Sequence, residues 1–156
     1  MTRFEAALAP HASVLLLVAP EGPARFQAEV GAWAGSARFE NTFGGHDGTG
    51  YVTGLTAEGS SVAVAVSVHA AGDNRLLFRV ANATGRPSSL TVRALDPATG
   101  TVHGTTTLRV PSTAAWTSWQ TVPVTLTMAN GTNLVVCSVE ASDKGAVNLD
   151  SLALSS

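Results

Sequence analysis

Four oxygen-bearing side chains sit in two short stretches near opposite ends of the chain: Gln27 and Glu29 in RFQAEVG, and Asn148 and Asp150 in GAVNLDSLALSS. Each pair is spaced i, i+2, which sends both side chains to one face of a strand. First and last strands commonly lie side by side in a β-sandwich, so Gln27, Glu29 and Asp150 could converge where the two strands meet. Carboxylate and amide oxygens are hard ligands, a set that suits calcium, with carbonyls or water filling the remaining positions. Solvated polar side chains on an edge strand and a capped turn would show the same spacing.

Other chemistry finds less support. The four histidines, His11, His46, His69 and His103, fall in no nucleophile elbow and in no metal-binding helix pattern. A glycosidase needs two carboxyls facing each other across a cleft, and Glu29, Glu40, Asp47, Glu58, Asp143 and Asp150 are candidates that sequence alone cannot pair. The chain is therefore expected not to be an enzyme. Its net charge of -2, with 9 basic and 11 acidic residues and no basic run, lacks the footprint of a nucleic-acid binder. Cys137 is the single cysteine, so no intrachain disulfide and no cysteine zinc site can form, and a buried thiol is expected. SVLLLVA, Ser13 to Ala19, is far shorter than the roughly 20 residues of a membrane helix, and no basic region or clean cleavage pattern makes it a signal peptide. No membrane partner is expected, and any export signal should lie upstream.

The elements that must position these residues read as strands. SSVAVAVSVHA, NRLLFRVANA, SSLTVRALD, TTTLRV, QTVPVTLTM and TNLVVCSVE alternate apolar with small polar residues, the signature of half-buried antiparallel strands. Turn signals (AAGDN, ATGRPS, DPATG, ANGT) separate them, and no window carries a helical stripe. The reading is all-β, two packed antiparallel sheets in a sandwich or jelly roll. Hydrophobic residues make up 45% of the 156, enough for a sizeable core. Trp33 is expected buried on an early strand, with Tyr51 and Phe43 as packing residues. Asn82-Ala83-Thr84 and Asn130-Gly131-Thr132 match the N-glycosylation pattern, but turn chemistry explains both asparagines.

Residues 1–23 read separately, as a leader strand over Ser13 to Val18 and a Pro/Gly linker over Pro20 to Pro23. LAPHASVLLLVAP resembles the closing strand of the C-terminal β-domain in glycoside hydrolases such as the α-galactosidases. That resemblance implies a remnant of a preceding enzyme domain, and a galactose-containing glycan as the favoured ligand.

From residue 24 to 156, RFQAEVG, GGHDGTGYVTGL, LLFRVANATGRPSSLTV, STAAWTSWQTVPVTLTMANGTN and GAVNLDSLALS resemble, in order and spacing, the carbohydrate-binding modules of family 35, with family 6 as close relatives. The resemblance implies a jelly-roll domain that binds sugar without cleaving it, on a secreted glycoside hydrolase in cis. It also implies a structural calcium held by Gln27, Glu29 and Asp150, with Thr49 or a nearby carbonyl as an unassigned further ligand. For the sugar it implies Asn148 as the polar contact and Trp116 as the stacking aromatic. His46 stands where the family usually has a second aromatic, and Asp47 beside it could accept from hydroxyls. Trp119, at odd spacing from Trp116, is expected to face the other way, in the core or against the sheet. The alternative reading is a calcium-stabilised structural or docking sandwich without sugar affinity.

Overall fold

The computed structural model describes residues 25–155. The leader strand, the linker and the boundary near residue 23 lie outside the described residues. In chain order the elements are β1 (Arg25–Gln27), one 3-10 turn (Ala28–Val30), β2 (Ala32–Ala34), β3 (Arg38–Glu40), β4 (Tyr51–Leu55), β5 (Ser61–Val68), β6 (Gly72–Ala81), β7 (Ser88–Leu95), β8 (Val102–Val110), β9 (Gln120–Met128), β10 (Gly131–Ser138) and β11 (Val147–Leu154).

They form two antiparallel sheets. The first has six strands, in the order β3-β4-β11-β6-β9 with β1 alongside β11, and the second has five, in the order β2-β5-β10-β7-β8. Period-two alternation makes the sandwich: Val62, Val64, Val66 and Val68 of β5, Leu90 and Val92 of β7, and Val124, Leu126 and Met128 of β9 all join one buried cluster. The residues between them face out. Cys137 is buried in the same cluster, and burial pushes its thiol up to about 12, so it packs as a small hydrophobe.

β11 departs from the alternation and positions the site. Val147, Leu149 and Leu152 point into the core, yet the residues between them are buried too. Against β6 the register runs Leu149↔Val80 and then Ser151↔Arg79, which leaves Asp150 as the extra residue of a β-bulge. β1 pairs with the same stretch (Phe26↔Leu152, Gln27↔Ser151), so first and last strands do lie side by side. Phe26 packs against the core, which turns Gln27 to the outer face with Asp150 and Ser151.

Two expectations are corrected. Trp33 is 40% exposed, not buried. It pairs with Val62, but β2 is the edge strand of its sheet, so nothing stands beyond the ring, whose Nε1 donates to the Ala28 carbonyl at 3.4 Å. Glu29 is not on a strand with Gln27: β1 ends at Gln27 and Glu29 lies in the 3-10 turn.

Candidate sugar and cation site

The outer face of the first sheet around β11 is covered by the loop of residues 41–50, which joins β3 to β4. Under it lie the oxygens. Glu29 Oε1 accepts from Thr49 N at 3.1 Å, Thr49 Oγ1 at 3.2 Å and Gly50 N at 3.2 Å. Asp150 Oδ2 accepts from Asp47 N at 2.8 Å and Arg79 Nε at 2.9 Å. Gln27 and Glu29 are brought together by Gly48, where a Cβ would lie 2.8 Å from Gln27 Oε1 and 2.7 Å from Glu29 Oε1.

One oxygen of each side chain is left over. Gln27 Oε1, Glu29 Oε2 and Asp150 Oδ1 are all buried without a hydrogen-bond partner. Bare buried carboxylate oxygens are costly, and burial pushes the Asp150 carboxyl above its ordinary value although Asp47 N and Arg79 pull it down. Two carboxylates and an amide, each with a free hard oxygen, make a donor set that fits a calcium-sized cation. Among the described residues no three His, Cys, Asp or Glu side chains gather as a metal cluster, so a cation here would need the Gln27 amide as a third donor. Thr49 spends its hydroxyl on Glu29.

Beside this cradle lies an aromatic patch. Tyr51 is fully buried on the outer face, its hydroxyl donating to Glu40 Oε2 at 2.6 Å and accepting from Phe43 N at 3.1 Å. Trp119 meets it edge-on at 5.1 Å and donates from Nε1 to the Gly44 carbonyl at 2.9 Å. The His46 ring sits 5.6 Å from Tyr51, and Trp116 stacks on Phe43 at 6.3 Å with 28° between planes. Trp119 thus lies against the sheet, on Tyr51 of β4 and Arg79 of β6, as expected, but it borders the same patch as Trp116 where odd spacing led us to expect opposite sides. The reason is a turn: Ser118 N donates to the Ala115 carbonyl at 3.0 Å, so the segment is not extended.

Asn148 is nearly buried on the outer face of β11, its Oδ1 accepting from Thr53 Oγ1 at 2.7 Å. Among the described residues its amide nitrogen has no hydrogen-bond partner, and no hydrogen bond joins it to Trp116, His46 or Asp47. The Asp47 carboxylate is held by Arg25 at 3.2 Å and lies 3.7 Å from Arg79, which puts it at the cradle end of the site.

Arg79 is the residue that sequence reading missed. Its Nε binds Asp150, its Nη2 donates to the Gly45 carbonyl, and its guanidinium lies 5.9 Å from the centre of the Trp119 ring. It thus ties the cradle, the loop and the aromatic patch together. The signal was present: Arg79 is the one polar residue of LLFRVA in β6 and falls on its outward phase, as Arg75 does.

The family model described as carbohydrate binding module (family 6) matches residues 27–156. The chain is 38% identical to the isomalto-dextranase of Arthrobacter globiformis over 98% of its own length, but spans only 26% of that relative. The structure of the Arthrobacter globiformis T6 isomalto-dextranase complexed with panose superposes with a TM-score of 0.79 at 36% identity, over 85% of this chain and 23% of that one. A family 35 carbohydrate-binding module from Clostridium thermocellum superposes with a TM-score of 0.72 at 26% identity, over 87% of this chain and 100% of that one. The motif order, the two-sheet fold and the match over residues 27–156 agree: the chain belongs to the family 6 carbohydrate-binding modules, non-catalytic β-sandwiches of the kind carried by glycoside hydrolases, with family 35 modules as structural neighbours.

Proposed function

We propose that this module holds a catalytic domain of the same secreted protein against an α-glucan containing isomaltose-type linkages. The observation that carries the reading is the half-buried Trp116, stacked on Phe43 at the rim of a patch that also holds hydrogen-bonding groups. An indole face covers the C–H side of a pyranose, and neighbouring amides serve its hydroxyls. Trp116 is the platform, the free amide nitrogen of Asn148 is the donor, and His46 lines the loop side. The galactose preference drawn from the leader segment gives way to α-glucan because the chain's likeness to an isomalto-dextranase spans nearly all of it. Tethering raises the local concentration of the attached catalytic domain at its polymer without any covalent step.

In this reading Gln27, Glu29 and Asp150 hold a calcium ion. When bound, it supplies the positive charge that the bare oxygens lack and pins the 41–50 loop to β11. The chain's own groups do the rest: Thr49 and Gly50 orient Glu29, and Asp47 N and Arg79 orient Asp150.

Titration calorimetry with isomaltotriose, panose, galactobiose and xylotriose tests the assignment. The α-1,6-linked glucosides should bind, and Trp116→Ala should weaken them at least tenfold, since aromatic anchors dominate small binding surfaces. Absence of binding to any of the four at millimolar concentration, in folded protein, would favour the calcium-stabilised spacer. Two observations give that second reading its footing: Asn148 spends its carbonyl on Thr53, and Asp47 spends its carboxylate on Arg25.

A further inference from the structure

A fourth orphaned oxygen lies on the same strand, one residue beyond Asp150. Ser151 is 1% exposed, and its hydroxyl is buried without a hydrogen-bond partner, as are Gln27 Oε1, Glu29 Oε2 and Asp150 Oδ1. The strand register explains the coincidence. Ser151 is the cross-strand partner of Gln27 on one side and of Arg79 on the other, and it directly follows the bulge residue Asp150. Residues directly opposite on one face have Cβ atoms about 4.5–5.5 Å apart. Gln27, Ser151 and Arg79 therefore form one row across β1, β11 and β6, with Asp150 bulged out beside it. Arg79 does not use the serine: its donors go to Asp150 Oδ2 and to the Gly45 carbonyl.

A buried hydroxyl normally finds a partner, and its loss to nothing is costly. Gln27, Asp150 and Ser151 hold neighbouring positions on β1 and β11, and Gly48 lies against both Gln27 and Glu29, so one occupant between them would satisfy all four oxygens. We propose that Ser151 Oγ is a fourth side-chain oxygen of the cation cradle. The inference rests on the calcium reading given above. It also changes the donor set, adding a neutral hydroxyl from β11 itself, so that β11 holds the ion through two consecutive residues. A hydroxyl adds a contact without adding charge, which suits a site that already carries two carboxylates.

The occupant could instead be a buried water, which would satisfy Ser151 whether or not calcium is bound. Calcium titration calorimetry and thermal melts of the full chain, stripped of metal and then reloaded, separate the two. Asp150→Asn should abolish calcium binding, and this tests the calcium reading alone. Ser151→Ala should weaken calcium binding by roughly tenfold, the loss typical when a group supporting a metal site is removed. It should leave the metal-free melting temperature unchanged or higher, because it deletes a buried hydroxyl that has no partner. Ser151→Cys keeps the side-chain volume and replaces a hard oxygen with a soft sulfur, so it should weaken calcium binding as the alanine does while guarding against a packing defect. If both variants bind calcium as tightly as the parent, Ser151 is no part of the cradle although the calcium reading stands. If the parent itself binds no calcium, both fall.

Discussion

Tyr51 is the only tyrosine in the chain and is fully buried, although it points away from the core. Burial, and its hydrogen bond to Glu40, raise the phenol from 10.0 to about 12. The folded state thus favours the neutral phenol, so Tyr51 contributes stability that is complete below pH 10 and is lost as pH rises from 10 to about 12. With no other tyrosine to confuse it, phenolate absorbance should show one late step near that upper value. Tyr51→Phe should cost about 1–2 kcal/mol at neutral pH, for the lost contacts to Glu40 and Phe43, and should flatten the alkaline limb of the stability curve. A phenol step near pH 10 in folded protein would show that the loop does not close over the ring. At this scale the sequence was informative where strand pairing sets neighbours, as for β1 and β11, which carry Gln27 and Asp150. It was silent on Arg79 and Thr53 and read Phe43 only as a packing residue, because what joins them to the site is the path of a loop and not a periodicity.

The 41–50 loop is the element on which both halves of the site depend, and its glycines are not equivalent. Gly48 has φ +60, and an added Cβ would lie within 2.8 Å of the oxygens of Gln27 and Glu29. A side chain there meets a left-handed backbone costing about 1–2 kcal/mol and also enters the cradle. Gly44 has nothing within 4 Å of an added Cβ. Gly48→Ala should therefore lower the melting temperature and remove the rise that calcium produces, while Gly44→Ala should do neither. Equal behaviour of the two variants would refute the assignment of the loop as the cradle's lid. The element scale also shows why spacing misled at two places. Glu29 shares a face with Gln27 only through a 3-10 turn, and Trp116 shares one with Trp119 only through the turn at Ala115–Ser118, and neither turn has a period-two signature.

Alternation made the sandwich legible, but not which strand belongs to which sheet. AAGDN, ATGRPS and ANGT look like hairpin turns, yet each carries the chain from one sheet to the other, whereas DPATG joins β7 and β8 within one. A turn signal specifies a reversal and not the sheet on which the return strand lands. The connection of residues 139–146 is one of these crossings, and it delivers β11 with Asn148, Asp150 and Ser151 in place. Asp143 holds it to β7: Ser89 Oγ and Thr91 Oγ1 each donate to its carboxylate at 2.8 Å, and Glu140 N donates at 2.9 Å. Burial alone would push the Asp143 carboxyl up, but these three donors outweigh it and hold it below 3.8. A depressed folded value means that the stability it contributes is fully present above the ordinary carboxylate range and is lost as pH falls through the depressed value. Denaturant unfolding at a series of pH values, with calcium chelated, should show the parent losing stability below about pH 4. Asp143→Asn should be about 1–3 kcal/mol less stable at neutral pH, since it leaves hydroxyl donors without a charged acceptor. Its curve should converge on that of the parent as pH drops. Glu140, held low by Ser138 and Arg93 against the repulsion of Asp143, keeps some acid slope in both proteins, so the difference between the curves reports Asp143 together with its effect on Glu140. If the two curves run parallel from pH 7 down to acid unfolding, the carboxylate is not what straps the crossing to β7.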